Sequence, residues 1–347
     1  MNSMTNAKNK INIQSILSKY AIIIAFIILF VAMAMARPQH FLSMGNMINI
    51  LRQTAVIGVI TIGMSFVLIT GGIDLSVGSV MAVAGVASAF MAAPGGPAMA
   101  KAGFSKGEGV TEAIMQASTM PLFIPVLIAL AVGVVFGLIN GILIAKGEVA
   151  PFIVTMGMMT IARGFVLIIS EGAPLPYLTE EFKEIGRGSI GGVPYLAIIL
   201  LVVVLIAHFL LKSTCFGRHI YFIGGNEVAA HVSGIGVAKV KILVYMICGM
   251  CAGLSGMLLA SRTAVGSPQA GVSYELDAIA SCVIGGISLT GGVGNVFGSV
   301  VGVLFIAVMG NGMDMLGITS YYQQIAKGTI IILAVLYDAK SQKRGKA

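Results

Sequence analysis

Long apolar runs alternate along the chain with short polar or glycine-rich breaks. A bilayer core of about 30 Å takes about 20 apolar residues as a helix. Runs of this kind recur at residues 20–36, 53–70, 77–93, 121–145, 150–170, 194–211, 242–261, 277–289, 293–312 and 322–337. The pattern predicts an all-α integral membrane protein of about ten transmembrane helices. The run at 277–289 is short for a full crossing. Between the runs lie Arg37-Pro38, the stretch Gly71 to Ser76, a polar loop at 94–120, the turn Lys146-Gly147-Glu148, and an acidic loop at 171–193 with Glu180, Glu181 and Glu184. The longest polar stretch is 212–241. It divides a transmembrane domain, 20–338, that is flanked by segments 1–19 and 339–347.

Composition removes the soluble alternatives. The chain is 57% hydrophobic and 10% charged, where an ordinary soluble domain carries about 25% charged residues. The net charge of +8 is not a nucleic-acid stripe, because its cations gather in the polar breaks. They fall at Lys8, Lys10 and Lys19, at Lys212, Arg218, Lys239 and Lys241, and at Lys340, Lys343, Arg344 and Lys346. Positive charge collects on the cytoplasmic side of membranes. This predicts both termini and the loop 212–241 inside, and the acidic loop outside; Arg37 and Arg52 then fall outside, against the trend. The first run reads as a retained span, with no small-residue cleavage site before a soluble domain.

Glycine adds packing and breakage. Gly133, Gly137 and Gly141 share one face of the fourth run, and Gly294, Gly298 and Gly302 one face of the ninth, a spacing that lets helices meet backbone to backbone. GGIDLS (71–76) and GGISLT (285–290) resemble each other as glycine pairs between apolar runs, the mark of broken or re-entrant helices in inverted-repeat transporters. A five-span repeat, however, pairs the junction after run two with that after run seven, and GGISLT follows run eight, so either run eight is a re-entrant half-helix or the likeness is one of composition.

Candidate chemistry is sparse. The sequence has no phosphate-binding G-x-x-x-x-G-K-[ST], no H-E-x-x-H and no G-x-S-x-G, and His40, His208, His219 and His231 lack metal-ligand spacing. No catalytic or metal residue, and no cofactor of the chain's own, is expected. Cys248 and Cys251 form a lone C-x-x-C inside a span, which reads as packing. Ionisable groups within spans are costly and hence candidates for function. Asp74 either caps the third helix or touches a transported molecule. Arg163 and Lys327 snorkel or pair inside the bundle, and Asp277 edges the eighth run. Among neutral polar residues, Asn140, Thr155, Thr160, Ser281, Asn311 and Gln323 line an aqueous path or bond helix to helix.

Four stretches carry a family resemblance: GRHIYFIGGNEVAAHVSGIGVAKVK (217–241), YELDAIASCVIGGISLTGGVGNVFG (274–298), NGMDMLGITSYYQQIAKG (311–328) and GGIDLSVGS (71–79). Together they resemble the permease subunits of bacterial ABC importers of monosaccharides, ribose permeases most of all, with galactose, xylose and autoinducer-2 permeases as relatives. The resemblance implies a multi-pass protein of the bacterial inner membrane that imports a sugar by alternating access. It implies a second permease copy, an ABC ATPase subunit that binds the ATP, and an extracytoplasmic sugar-binding protein. By position it assigns Arg218, Gly224, Gly225, Asn226, Glu227, Ala230, Ser233 and Gly234 to the ATPase-coupling loop. Changing Glu227 or Gly225 is then expected to abolish transport and leave membrane insertion intact. A secondary carrier or channel acting alone is the alternative, and a membrane scaffold without transport is a third reading.

Overall fold

The computed structural model describes residues 13–96 and 120–345, with side chains from 22 to 336. Most of the polar loop 94–120, together with Lys8, Lys10 and Lys346, lies outside the described residues. The helices are α1 (Ile13–Ala36), α2 (Pro38–Phe41), α3 (Met44–Ile69), α4 (Val77–Ala92), α5 (Phe123–Ala145), α6 (Pro151–Ser170) and α7 (Glu180–Arg187). A hairpin of β1 (Ser189–Ile190) and β2 (Val193–Pro194) follows. Then come α8 (Tyr195–Ser213), α9 (Cys215–Gly225), α10 (Glu227–Val232), α11 (Val237–Thr263), α12 (Tyr274–Ile284), α13 (Val296–Met315) and α14 (Ser320–Gly345).

Six of these, α3, α5, α6, α8, α11 and α13, are long and apolar enough to cross a membrane. Each remaining predicted run falls on a shorter apolar helix, on α12 or on α14. The bundle is layered around α3 and α11. The apolar window of α3 is 83% buried and that of α8 only 22%, so α8 turns its leucine- and valine-rich face outward, as a lipid-facing helix does.

Glycine sets the most extensive contact between helices, that of α5 with α11. A Cβ on Gly133 would sit 2.1 Å from the Gly249 carbonyl oxygen, and one on Gly137 2.3 Å from that of Tyr245. Cys248 and Cys251 are buried free thiols packed behind Gly63 of α3. In the ninth run the expected face is shorter than the spacing suggests. Gly298 and Gly302 pack on α12, but Gly294 precedes the helix, which Asn295 caps by accepting the Gly298 amide at 2.7 Å.

Two crossings are part helix and part non-helical chain. At the α7 side, Leu175 pairs with Gly266 and the Thr179 amide donates to the Ala92 carbonyl at the end of α4. From Gly266, packed on Ala89, the chain runs back along α4 to Gly271, packed on Gly78. Helix α12 starts only there, and its 11 residues fall short of the roughly 20 needed to span a bilayer. At the opposite side, residues 70–76 and 285–295 lie together, and the Gly292 amide donates to the Ile69 carbonyl at 2.8 Å. The junction after run seven therefore meets the start of α4, while GGIDLS and GGISLT touch each other at Gly71 and Thr290.

Candidate functional site

The polar stretch 212–241 folds as two short helices with sequence-encoded ends. Thr214 Oγ1 accepts the Gly217 amide at 3.1 Å to start α9, and Asn226 Oδ1 accepts the Ala229 amide at 2.9 Å to start α10. Ala230 is buried and seats α10 on the bundle. The Ser233 amide closes α10 on the Ala229 carbonyl, and Gly234 turns the chain at φ +78°. Glu227 and Lys241 form an ion pair at 2.6 Å between α10 and α11. Glu227 stays half exposed, so the pair is worth at most about 1 kcal/mol. Arg218 is exposed and reaches Cys215 Sγ at 2.8 Å.

Val228 and Val232 stand out on one face of α10 at 74% and 83% exposure. The two side chains lie one turn apart and share one side of the short helix. Sequence reasoning passed over both, although valines in a stretch this polar were a readable signal. Beside them a cavity of about 850 Å³ opens between the turn Glu148–Pro151 and the chain from Glu227 to Lys241.

The inner side of α9 is fixed to both breaks of the bundle. Gly224 lies so close that a Cβ would meet the Ile69 carbonyl oxygen at 1.8 Å and the Gly292 nitrogen at 2.4 Å. Tyr221 Oη donates to the Gly294 carbonyl at 2.9 Å, and burial pushes its phenol pKa up, so the donor stays protonated. Ile220 and Ile223 are buried alongside. A Cβ on the neighbouring Gly225 would meet nothing. The same helix thus has a packed inner glycine and an open outer one.

The polar residues of the spans are engaged with the protein itself. Asp74 is buried and its Oδ1 accepts from the Ser76 amide at 2.9 Å and the Ser76 hydroxyl at 2.6 Å. This is an Asx turn just ahead of α4, whose N-cap is Ser76 and not Asp74. Asn140 donates to Ser76 Oγ at 2.9 Å, tying α5 to that turn. Thr155, Thr160 and Ser281 bond the carbonyls one turn back, at Pro151, Met156 and Asp277. Asn311 and Asn46 exchange amide bonds at 2.8 and 3.0 Å, and Gln323 donates to Asp314 at 2.6 Å. Lys327 pairs with Asp277 at 2.8 Å across α14 and α12. Arg163 reaches the carbonyls of Pro268 and Ala270 at 2.6 and 3.2 Å. Of the path candidates, Asp74 and Asn140 come together through Ser76, and the others lie apart.

Residues 46–335 match the family described as Branched-chain amino acid transport system / permease component. The ribose import permease protein RbsC of Haemophilus influenzae is 39% identical over 96% of this chain and 97% of its own. That of Bacillus subtilis is 39% identical over 96% of both chains. The galactose/methyl galactoside import permease protein MglC of Haemophilus influenzae is 36% identical over 95% of this chain and 97% of its own. No solved structure matches the chain.

Proposed function

The chain belongs to the permease-component family of transport systems, and from that premise we propose that it is the membrane-spanning subunit of an ATP-driven importer of a monosaccharide, ribose or a similar sugar. It is a multi-pass membrane protein. The observation that carries the sugar reading is the near-full-length similarity to permeases named for ribose import. In this reading α9 and α10 face the cytoplasm and Val228, Val232, Arg218 and Glu227 meet an ABC ATPase subunit, which binds and hydrolyses the ATP. The α7 side receives an extracytoplasmic sugar-binding protein, and a second copy of the chain completes the translocation path.

The contacts of α9 supply a route for the work. A push on α10 from below moves α9, and α9 bears directly on Ile69 at the end of α3 and on Gly292 ahead of α13. Both helices are then driven from their ends, and access alternates between the two sides.

Proteoliposomes holding the permease, its ATPase and its binding protein test this. Labelled ribose is expected to enter only when all three and ATP are present. Uptake by the permease alone would make it a stand-alone carrier, and ATP-dependent uptake of leucine in place of any sugar would follow the family's description instead.

A further inference from the structure

We propose that the cavity where α4 and α12 begin is a subsite that holds the neutral, polyhydroxylated ligand during its passage; this rests on the sugar-import reading. The cavity measures about 540 Å³ and is lined by Ser79, Thr160, Arg163, Ser273 and Glu275, with Met159, Leu167 and Val272 as apolar walls. Its size falls in the roughly 300–1,000 Å³ range of small-molecule sites.

Its location follows from the two half helices. The non-helical segment descends along α4 from Gly266 to Gly271, and α12 begins beside Gly78, well below the end of α4 at Ala92. Irregular backbone at membrane depth is tolerated where it is buried in protein or lines an aqueous cavity. Gly78 makes the approach possible, since a Cβ there would sit 2.3 Å from both the Gly271 carbonyl and Glu275 Oε2. On the opposite wall, Arg163 braces the descending segment through Nη1, which donates to Pro268 and Ala270. A guanidinium has five N–H donors, so Nε and Nη2 remain to offer. Ser273 holds φ +68°, a left-handed conformation in a residue other than glycine; strain of this kind gathers at ligand clamps.

The chemistry selects the ligand class. Arg163 only donates and Glu275, when ionised, only accepts; Thr160, whose hydroxyl donates to the Met156 carbonyl, has lone pairs left to accept with, and Ser79 and Ser273 do both. Sugar hydroxyls answer both kinds of group, and a ring's C–H face suits the walls of Met159, Leu167 and Val272. One cation and one anion give the cavity no net charge, so Glu275 disfavours an anion and Arg163 a cation.

The test uses the complete importer in proteoliposomes with Thr160→Cys in a Cys215→Ser background, since Cys215 is the exposed native thiol among the described residues. A small charged methanethiosulfonate reagent is expected to modify Thr160→Cys, and the transported sugar to slow that reaction several-fold during turnover, with leucine giving no protection. Glu275→Gln is expected to lower sugar import about tenfold or more, the scale of a lost hydrogen bond to a charged group, with sugar capture by the binding protein unchanged. Unchanged modification with and without sugar, in vesicles that import it, would overturn the subsite. A cysteine that never reacts would assign the cavity to lipid, protection by leucine alone would refute the ligand class, and full import by Glu275→Gln would remove that residue's role. If the unaltered importer moves no sugar at all, the functional reading fails first and the subsite with it.

Discussion

Gly224 and Ile69 are in backbone contact, with no room between them for a methyl group: a Cβ at Gly224 would lie 1.8 Å from the Ile69 oxygen. Gly224→Ala must therefore push α9 away from the end of α3. Overpacking of this kind costs about 1–3 kcal/mol, and a lowered thermal midpoint in detergent is expected. Gly225→Ala has open space and leaves the midpoint unchanged. Any transport lost in Gly225→Ala then comes from the surface proposed to face the ATPase, and a weakened ATPase pull-down from the same membranes is the expected sign.

Glu227 separates docking from folding in another way. Its ion pair with Lys241 is half exposed and worth at most about 1 kcal/mol, so Glu227→Gln is expected to leave stability and membrane insertion nearly intact. Import is expected to fall sharply all the same. Wild-type uptake by this variant would take Glu227 out of the coupling surface.

Lys327 and Asp277 depend on each other more heavily. The Asp277 side chain is only 6% exposed and lies 2.8 Å from Lys327 Nζ. Removing one partner of a buried pair costs about 3–5 kcal/mol, because the other charge is stranded. Lys327→Met is expected to unfold at a clearly lower temperature than wild type, and Lys327→Met with Asp277→Asn to recover most of the loss. A double variant as unstable as the single one would show that packing, not charge, was removed.

Asn46 and Asn311 hold α3 to α13 through two reciprocal bonds. Substituting either with leucine is expected to cost about 1–2 kcal/mol. The double variant should lose less than the sum, with a coupling of about 0.6 kcal/mol, the average in membrane bundles. Strict additivity in thermal unfolding would deny that the pair acts as a unit.

What the sequence disclosed was governed by range. Hydrophobic runs are local, so the crossings and the shortness of the run at 277–289 could be read directly, as could the α5 face that packs on α11. Caps are local as well, and Asn226 and Thr214 end and start helices as their residue types suggest. Partners distant in sequence left no trace. Nothing near Asn311 points to Asn46, 265 positions away, so the sequence left open whether it lines a path or bonds helix to helix, and could not name the helix it is bonded to. The descent of residues 264–273 was hidden for a similar reason: its serines, proline and glycines look like a surface turn, and only Gly78 on another element gives it a place to go. Likewise the charged α7 gives no hint that Phe182 is buried and that its carbonyl accepts from Ser261 at the end of α11.

The bond between Lys327 and Asp277 also bears on how the protein is made. Asp277 leaves the ribosome 50 residues ahead of its cation, which at about 5–20 residues per second is a delay of roughly 3–10 seconds. During that interval the acid lacks its lysine counter-ion, so α12 settles only once α14 has emerged, and biogenesis proceeds out of sequence order at this point.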